Sequence, residues 1–269
     1  LPPDRTIQDW GVTYDEREPH YDAYEKLCGT SGKAGNLNGT LQDGGNPYEG
    51  WRSSEYPTPP LTNTLTPTLF ADAARQLGYK PFPQPASNLS QAYVNPYGIR
   101  MGQCSYCGYC ERFGCGNYAK ASPQTCILPA LVLRPNFEAR TRCEVLKIET
   151  DSAGKTATGV TYIDEFGEEL FQPASMVLLC AFSMFNVRLL LLSGIGTPYD
   201  YTTGKGVVGR NYAYQTTSGV QIFFKDKVTS PFIATGANGM MIDDFNGDNI
   251  DHSTLGYVGG GYMGAGQTN

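Results

Sequence analysis

No apolar run in this 269-residue chain approaches the roughly 20 residues that a membrane-spanning helix needs. The longest, Met176–Phe182, has the length of a strand buried on both faces. Charged residues are scarce at 17%, the net charge is −6 and no block of one sign occurs, so neither a nucleic acid nor an anionic membrane surface is the expected partner. Internal repeats and low-complexity tracts are absent. Histidine is limited to His20 and His252. No leader peptide is visible and the chain opens on Leu1 without a Met, which is taken here as truncation.

Glycine and proline are abundant, at 32 and 18 residues, and hydrophobic residues make up 40%. The mixture predicts a loop-rich α/β or mixed α+β protein with a real core, not a bundle or coiled coil. A helix is expected over 13–28: Thr13 and Glu16 have capping-box spacing, and Gly29 can close the helix. Residues 29–64, rich in Gly, Asn, Pro and Ser, form a long ordered loop. A second helix is expected over 67–77, capped by Thr66, with Leu69, Phe70, Ala73, Ala74 and Leu77 inward. Strands are expected at Val145–Thr150, Ala157–Ile163 and Leu170–Pro173, forming an antiparallel meander. The Met176–Phe182 strand then leads into a helix over Met184–Leu192 capped by Ser183, and a further strand is expected at Val220–Phe224.

Eight cysteines occur, and four fall within twelve residues: Cys104, Cys107, Cys110 and Cys115, spaced C-x2-C-x2-C-x4-C. Two-residue gaps let successive thiolates converge from one tight loop, and Gly108, Gly114 and Gly116 supply backbone freedom. The pattern is close to the ferredoxin run C-x2-C-x2-C-x3-C, with one more residue in the last gap and no following Pro. An iron–sulfur cluster held by three or four of these thiolates is the first reading. Structural zinc is the second, disfavoured because no second knuckle or nearby His is present. Reduced thiols in a glycine-rich loop are the third. Cys126 is either a buried thiol or a further ligand, and Tyr106, Tyr109 and Phe113 are expected to shield the site from water.

Met176–Gly196 encodes a strand, a turn and a helix whose N-terminus can face an anion such as a pyrophosphate. Any α/β core holds such a step, so the pattern alone is weak. Its end, Leu189–Gly196 (Leu-Leu-Leu-Leu-Ser-Gly-Ile-Gly), is similar to a segment beside FAD in the glucose–methanol–choline (GMC) oxidoreductases. Val145–Ile148, Gly159–Tyr162 and Met176–Ala181 follow in that family's order, Val208–Asn211 resembles its Val-Gly-x-Asn turn, and Asp9–Glu25 resembles the family's helix after its first flavin-binding portion. The cysteine loop and Cys110–Thr125 resemble the branch whose flavoprotein subunits act on gluconate, sorbitol, fructose or glucose.

The resemblance implies a partial GMC-type FAD-binding fold with a fragment of the substrate domain and an iron–sulfur loop. Residues 1–100 would link the FAD and substrate domains, 101–130 form the cysteine loop, 131–215 part of the FAD domain, and 216–269 the start of the substrate domain. It further implies an FAD-dependent dehydrogenase subunit oxidising a CH–OH group of a sugar acid or polyol, D-gluconate to 2-dehydro-D-gluconate being the best fit. Electrons would leave through a three-iron or four-iron cluster to a membrane-bound multihaem cytochrome c subunit, with a small third subunit, at the periplasmic face of the bacterial inner membrane. By position Val145 would contact adenine through its backbone, and Cys180, Ala181 and Asn186 would line the flavin side. Two departures stand out. The family's Gly-x-Gly-x-x-Gly unit and its catalytic His have no counterpart here, so no catalytic base is assigned, and Cys180-Ala181-Phe182 replaces the usual Ala-Gly. Without flavin, the alternative is a non-catalytic electron-transfer or zinc-structural module; a third possibility is an interaction protein docking through its Tyr/Gly-rich loops.

Overall fold

The computed structural model describes residues 9–110, 113–229, 237–256 and 259–266. Glu111 and Arg112 of the cysteine loop, and the side chain of Asp248, lie outside the described residues. The helices are α1 (Tyr14–Cys28), α2 (Leu65–Gln76), α3 (Pro123–Cys126), α4 (Leu128–Leu131) and α5 (Ser183–Leu192). The strands are β1 (Asn36–Leu37), β2 (Thr40–Leu41), β3 (Phe82–Pro83), β4 (Tyr93–Val94), β5 (Arg100–Met101), β6 (Glu144–Thr150), β7 (Ala157–Ile163), β8 (Glu169–Pro173), β9 (Met240–Ile242) and β10 (Met263–Ala265). Two compact units result: a loop unit of Gln8–Phe137 with Ile222–Asn269, and a meander unit containing Glu138–Gln221.

In the loop unit α1 starts as its sequence predicts. Glu16 N–H donates to the Thr13 hydroxyl at 3.2 Å and Thr13 N–H to the Glu16 carboxylate at 2.7 Å, satisfying two of the helix's orphan donors. Gly29 closes the helix at φ 66°, a conformation that disfavours a side chain. Pro19 removes one intrahelical hydrogen bond, and the helix is held instead by the loop that follows it. Tyr14 OH donates to the Trp51 carbonyl at 2.8 Å, Trp51 Nε1 donates to Asp15 at 2.7 Å, and Ser53 N–H donates to the buried Glu18 at 2.7 Å.

The loop from 30 to 64 is ordered because carboxylates bind its backbone. Glu55 accepts from Ala34 N–H at 2.6 Å, and Glu49 accepts from Gly35 N–H and, at 3.1 Å, from Asn36 N–H. Glycine is required where two strands of this loop touch: a Cβ on Gly35 would lie 1.9 Å from the Asn46 carbonyl oxygen. Arg52 pairs with Glu25 and stacks over Tyr56 with 3.9 Å from guanidinium to ring centroid.

The second helix begins two residues before its expected start, with Thr64 as N-cap. Its buried face is Pro67, Ala71 and Ala74, while Ala73 and Leu77 are exposed. The small stripe i, i+4, i+7 lets α2 lie close to the antiparallel sheet β10-β9-β3, which a stripe of Leu and Phe would hold off. Two apolar clusters complete the core: Cys28, Leu89, Met101 and Cys126; and Leu61, Cys104 and Ala119.

In the meander unit β6, β7 and β8 form the expected antiparallel sheet, with Val160 opposite Ile148 on one side and Gln172 on the other. A Cβ at Gly159 would meet the Gln172 carbonyl oxygen at 2.3 Å. The Ser193 hydroxyl ties the end of α5 to β6, accepting from Ile148 N–H at 2.9 Å and donating to the Leu189 carbonyl at 2.6 Å.

Three expectations fail here. Met176–Phe182 is not a paired strand: it runs without ladder partners, and Met176 and Leu178 are 73% and 78% exposed. A strand buried on both faces needs neighbours from distant sequence, and among the described residues none lies beside it. Phe182, at φ 75°, and not Ser183, is the N-cap of α5, and it offers no side-chain cap. Val220–Phe224 forms no strand either, and Val220 and Phe223 are almost fully exposed.

Candidate functional site

The cysteine loop leaves β5 and returns at Ala119. Cys104 N–H donates to the Leu89 carbonyl and Leu89 N–H to the Ala119 carbonyl, so Leu89 fastens both ends of the loop to the core. Cys104 is buried, Cys110 and Cys115 are partly buried, and Cys107 is exposed. Donors point at the sulfurs: Tyr106 N–H reaches Cys104 Sγ at 3.4 Å and Asn88 Nδ2 reaches Cys110 Sγ at 3.4 Å. Burial pushes the Cys104 thiol above its ordinary pKa, and the neighbouring Cys110, Cys115 and Cys107 push it further. Burial also acts upward on Cys115, but backbone N–H groups of Ala119, Lys120 and Asn117, with the Lys120 ammonium, outweigh it and hold that thiol low.

Cys104, Cys110 and Cys115 thus each accept from an N–H donor, the kind of contact that tunes a thiolate ligand, whereas Cys107 lies exposed. Among the described residues, however, no three His, Cys, Asp or Glu side chains stand close enough to hold a single metal ion. All four cysteines are free thiols, so the residue types suit a thiolate-held group while their placement does not gather them around one ion. Shielding by aromatics is only partial. Tyr106 is half-buried and accepts from Thr62 N–H at 2.8 Å, but Tyr109 and Phe113, stacked edge to face, are 62% and 61% exposed.

Sequence reasoning missed Asn88 and Lys120. The Lys120 ammonium donates to the Cys110 carbonyl at 2.5 Å and neighbours the Cys115 thiolate. A lone cation five residues after the last loop cysteine was the available signal. His20 is exposed on α1, and His252 hydrogen-bonds the Gly247 carbonyl, so neither is gathered into a metal site among the described residues.

The flavin-side candidates lie in the meander unit. Val145 is on β6, an outer strand, next to a register shift between Val145 and Lys147, which leaves one side of its backbone without a strand partner among the described residues. Asn186 braces the turn into α5: its Oδ1 accepts from Ala181 N–H at 2.7 Å and its Nδ2 donates to the Leu179 carbonyl at 3.2 Å. Cys180 and Ala181 are exposed on that turn. With neither a side-chain cap nor an acid in its first turn, α5 presents free N–H groups, an arrangement that accepts an anionic group such as a pyrophosphate.

Residues 62–217 match the family profile "GMC oxidoreductase". The gluconate 2-dehydrogenase flavoprotein of Pantoea cypripedii is 48% identical over 264 residues, which cover 97% of this chain and 43% of that protein. The paromamine 6'-oxidase of Streptomyces fradiae is 25% identical over 231 residues, 85% of this chain and 38% of the relative. The 6'''-hydroxyparomomycin C oxidase of Streptomyces lividus is 27% identical over 194 residues, 71% of this chain and 32% of the relative. The chain therefore spans less than half the length of these curated relatives.

Proposed function

Since the chain belongs to the GMC oxidoreductase family, we propose that it is part of an FAD-dependent dehydrogenase that oxidises a CH–OH group of a sugar acid, D-gluconate first, to the ketone. The observation that carries this reading is the 48% identity, across nearly the whole chain, to a gluconate 2-dehydrogenase flavoprotein.

FAD, when bound, accepts the hydride from the alcohol carbon. Val145 would hold the adenine through its unpaired backbone edge. Cys180, Ala181 and Asn186 would line the flavin side, with Asn186 fixing the turn and the α5 N–H groups receiving the pyrophosphate. The turn is pre-shaped by the two Asn186 hydrogen bonds, so little reorganisation is needed on binding. No residue of this chain is assigned as catalytic base.

Cys104, Cys107, Cys110 and Cys115 would hold an iron–sulfur cluster, which supplies one-electron transfer out of the site. Donors to Cys104, Cys110 and Cys115 would stabilise their thiolates. Such a cluster suits a one-electron acceptor, and a membrane-bound multihaem cytochrome c subunit at the periplasmic face is the acceptor proposed, with a small third subunit. No helix of the described residues is long and apolar enough to cross a membrane, which is compatible with attachment through partners.

Turnover of the full-length protein with an artificial one-electron acceptor tests the activity. Gluconate should be oxidised with a higher kcat/KM than sorbitol, fructose or glucose, and flavin bands should bleach anaerobically on its addition. A preference for a neutral polyol would overturn the sugar-acid assignment, and failure of every CH–OH donor to bleach the flavin would overturn the dehydrogenase.

A further inference from the structure

Cys28 and Cys126 belong neither to the set Cys104, Cys107, Cys110 and Cys115 nor to the flavin-side candidates. Each is the last residue of a helix, Cys28 ending α1 and Cys126 ending the single turn α3. Both are buried, at 5% and 2% exposure, in one apolar cluster with Leu89 and Met101. Their backbones are fastened to the same side chain. Asn95 Nδ2 donates to the carbonyl of Cys126 at 2.7 Å and to that of Leu27, next to Cys28, at 3.2 Å. Asn95 Oδ1 accepts from Tyr97 N–H at 3.0 Å and Ile99 N–H at 3.1 Å, so this buried amide is fully used in holding two distant segments together. Both are free thiols in this structure, and both side chains pack in that one cluster. No third metal-ligating side chain joins them among the described residues.

We propose that Cys28 and Cys126 form a disulfide when the protein folds in an oxidising compartment, cross-linking the end of α1 to the segment that follows the cysteine loop. The bond forms by exchange with a disulfide donor: Cys28–SH and Cys126–SH each lose a proton, the two sulfurs join, and the donor disulfide is reduced to two thiols. Both electrons pass from the protein to the donor. Burial raises the Cys28 thiol, and buried thiols react slowly. The exchange therefore belongs to folding, before the cluster closes, and the finished bond is shielded from reductants. It would close a loop of about 100 residues, the range in which a cross-link restrains the unfolded chain most, and it would secure the helix against which Arg52 and Trp51 pack.

The inference is independent of the substrate. The full-length protein is produced with a leader that forces export to an oxidising compartment, trapped with N-ethylmaleimide at lysis and digested without reductant. A linked peptide pair containing Cys28 and Cys126 is expected, resolving into two peptides on reduction. The melting midpoint should fall by roughly 5–15 °C with reductant, and Cys28→Ala and Cys126→Ala should each remove that response. Alkylation of both residues as free thiols would overturn the proposal, as would recovery of Cys126 bound to iron. A reductant response that persists in Cys28→Ala would equally overturn it.

Discussion

In the loop unit a long glycine- and asparagine-rich segment is held by charged side chains. Glu18, Glu49 and Glu55 take up backbone N–H groups, and Arg52 balances Glu25 among them. In the meander unit order comes from a local antiparallel ladder, and the apolar Met176–Phe182 stretch beside it remains exposed. The contrast separates two kinds of dependence. A loop held by carboxylates fails when one charge is removed, whereas a hairpin ladder fails when its strands are forced apart. An apolar strand without partners contributes little to either.

The largest effect is expected at Arg52, whose side chain is 12% exposed beside a Glu25 side chain at 18%. Arg52→Ala leaves Glu25 without its partner and should cost about 3–5 kcal/mol. Amide hydrogen exchange should accelerate across 14–58 and stay unchanged in β6–β8; acceleration in both units would remove the distinction. The converse probe is Gly159→Val, which drives a side chain into the Gln172 carbonyl. It should cost about 2–3 kcal/mol by overpacking and should speed exchange in β7 and β8 alone.

A smaller effect is expected at the flavin side. Asn186→Ala removes two hydrogen bonds and should cost about 1–2 kcal/mol, with weaker retention of FAD on gel filtration and unchanged iron content. Loss of iron together with flavin would show that the two sites are not separable in this way.

The smallest effect concerns pH. Burial holds the Glu49 carboxyl above its ordinary pKa, against the lowering effect of its Gly35 N–H bond and of Arg52. A raised carboxyl pKa gives stability that is present below the unfolded-state value, near 4.3, and is lost as pH rises through the folded one. Glu49→Gln keeps an acceptor for Gly35 and Asn36 without the buried charge. Its thermal midpoint relative to the parent should therefore rise between pH 4 and pH 8; a difference independent of pH would mean that Glu49 bears no such strain.

The legible parts of this fold were those fixed by neighbours in sequence. Thr13 and Glu16 close a capping box three residues apart, and β6, β7 and β8 are joined by tight turns. Ala74 faces inward on α2 as expected, but Ala73 and Leu77 do not, because the register of that face depends on a close approach to β9, a contact formed with residues far along the chain. Met176–Phe182 carried the pattern of a central strand, but periodicity cannot supply the partners such a strand needs. At the candidate site the cysteine spacing was visible, while Asn88 and Lys120 were not, since a side chain reaches a sulfur only after both ends of the loop have been fastened to the 88–89 segment. The carboxylate clamps on 34–36 were hidden for the same reason.

The central claim is that Cys104, Cys107, Cys110 and Cys115 carry an iron–sulfur cluster serving a flavin dehydrogenase. Iron, acid-labile sulfide and zinc are to be quantified in anaerobically purified full-length protein and in its Cys110→Ser variant. About three or four iron, with sulfide to match, are expected per chain, with a sharp fall in both in the variant. Stoichiometric zinc, or a metal-free protein whose four thiols all alkylate freely, would contradict it.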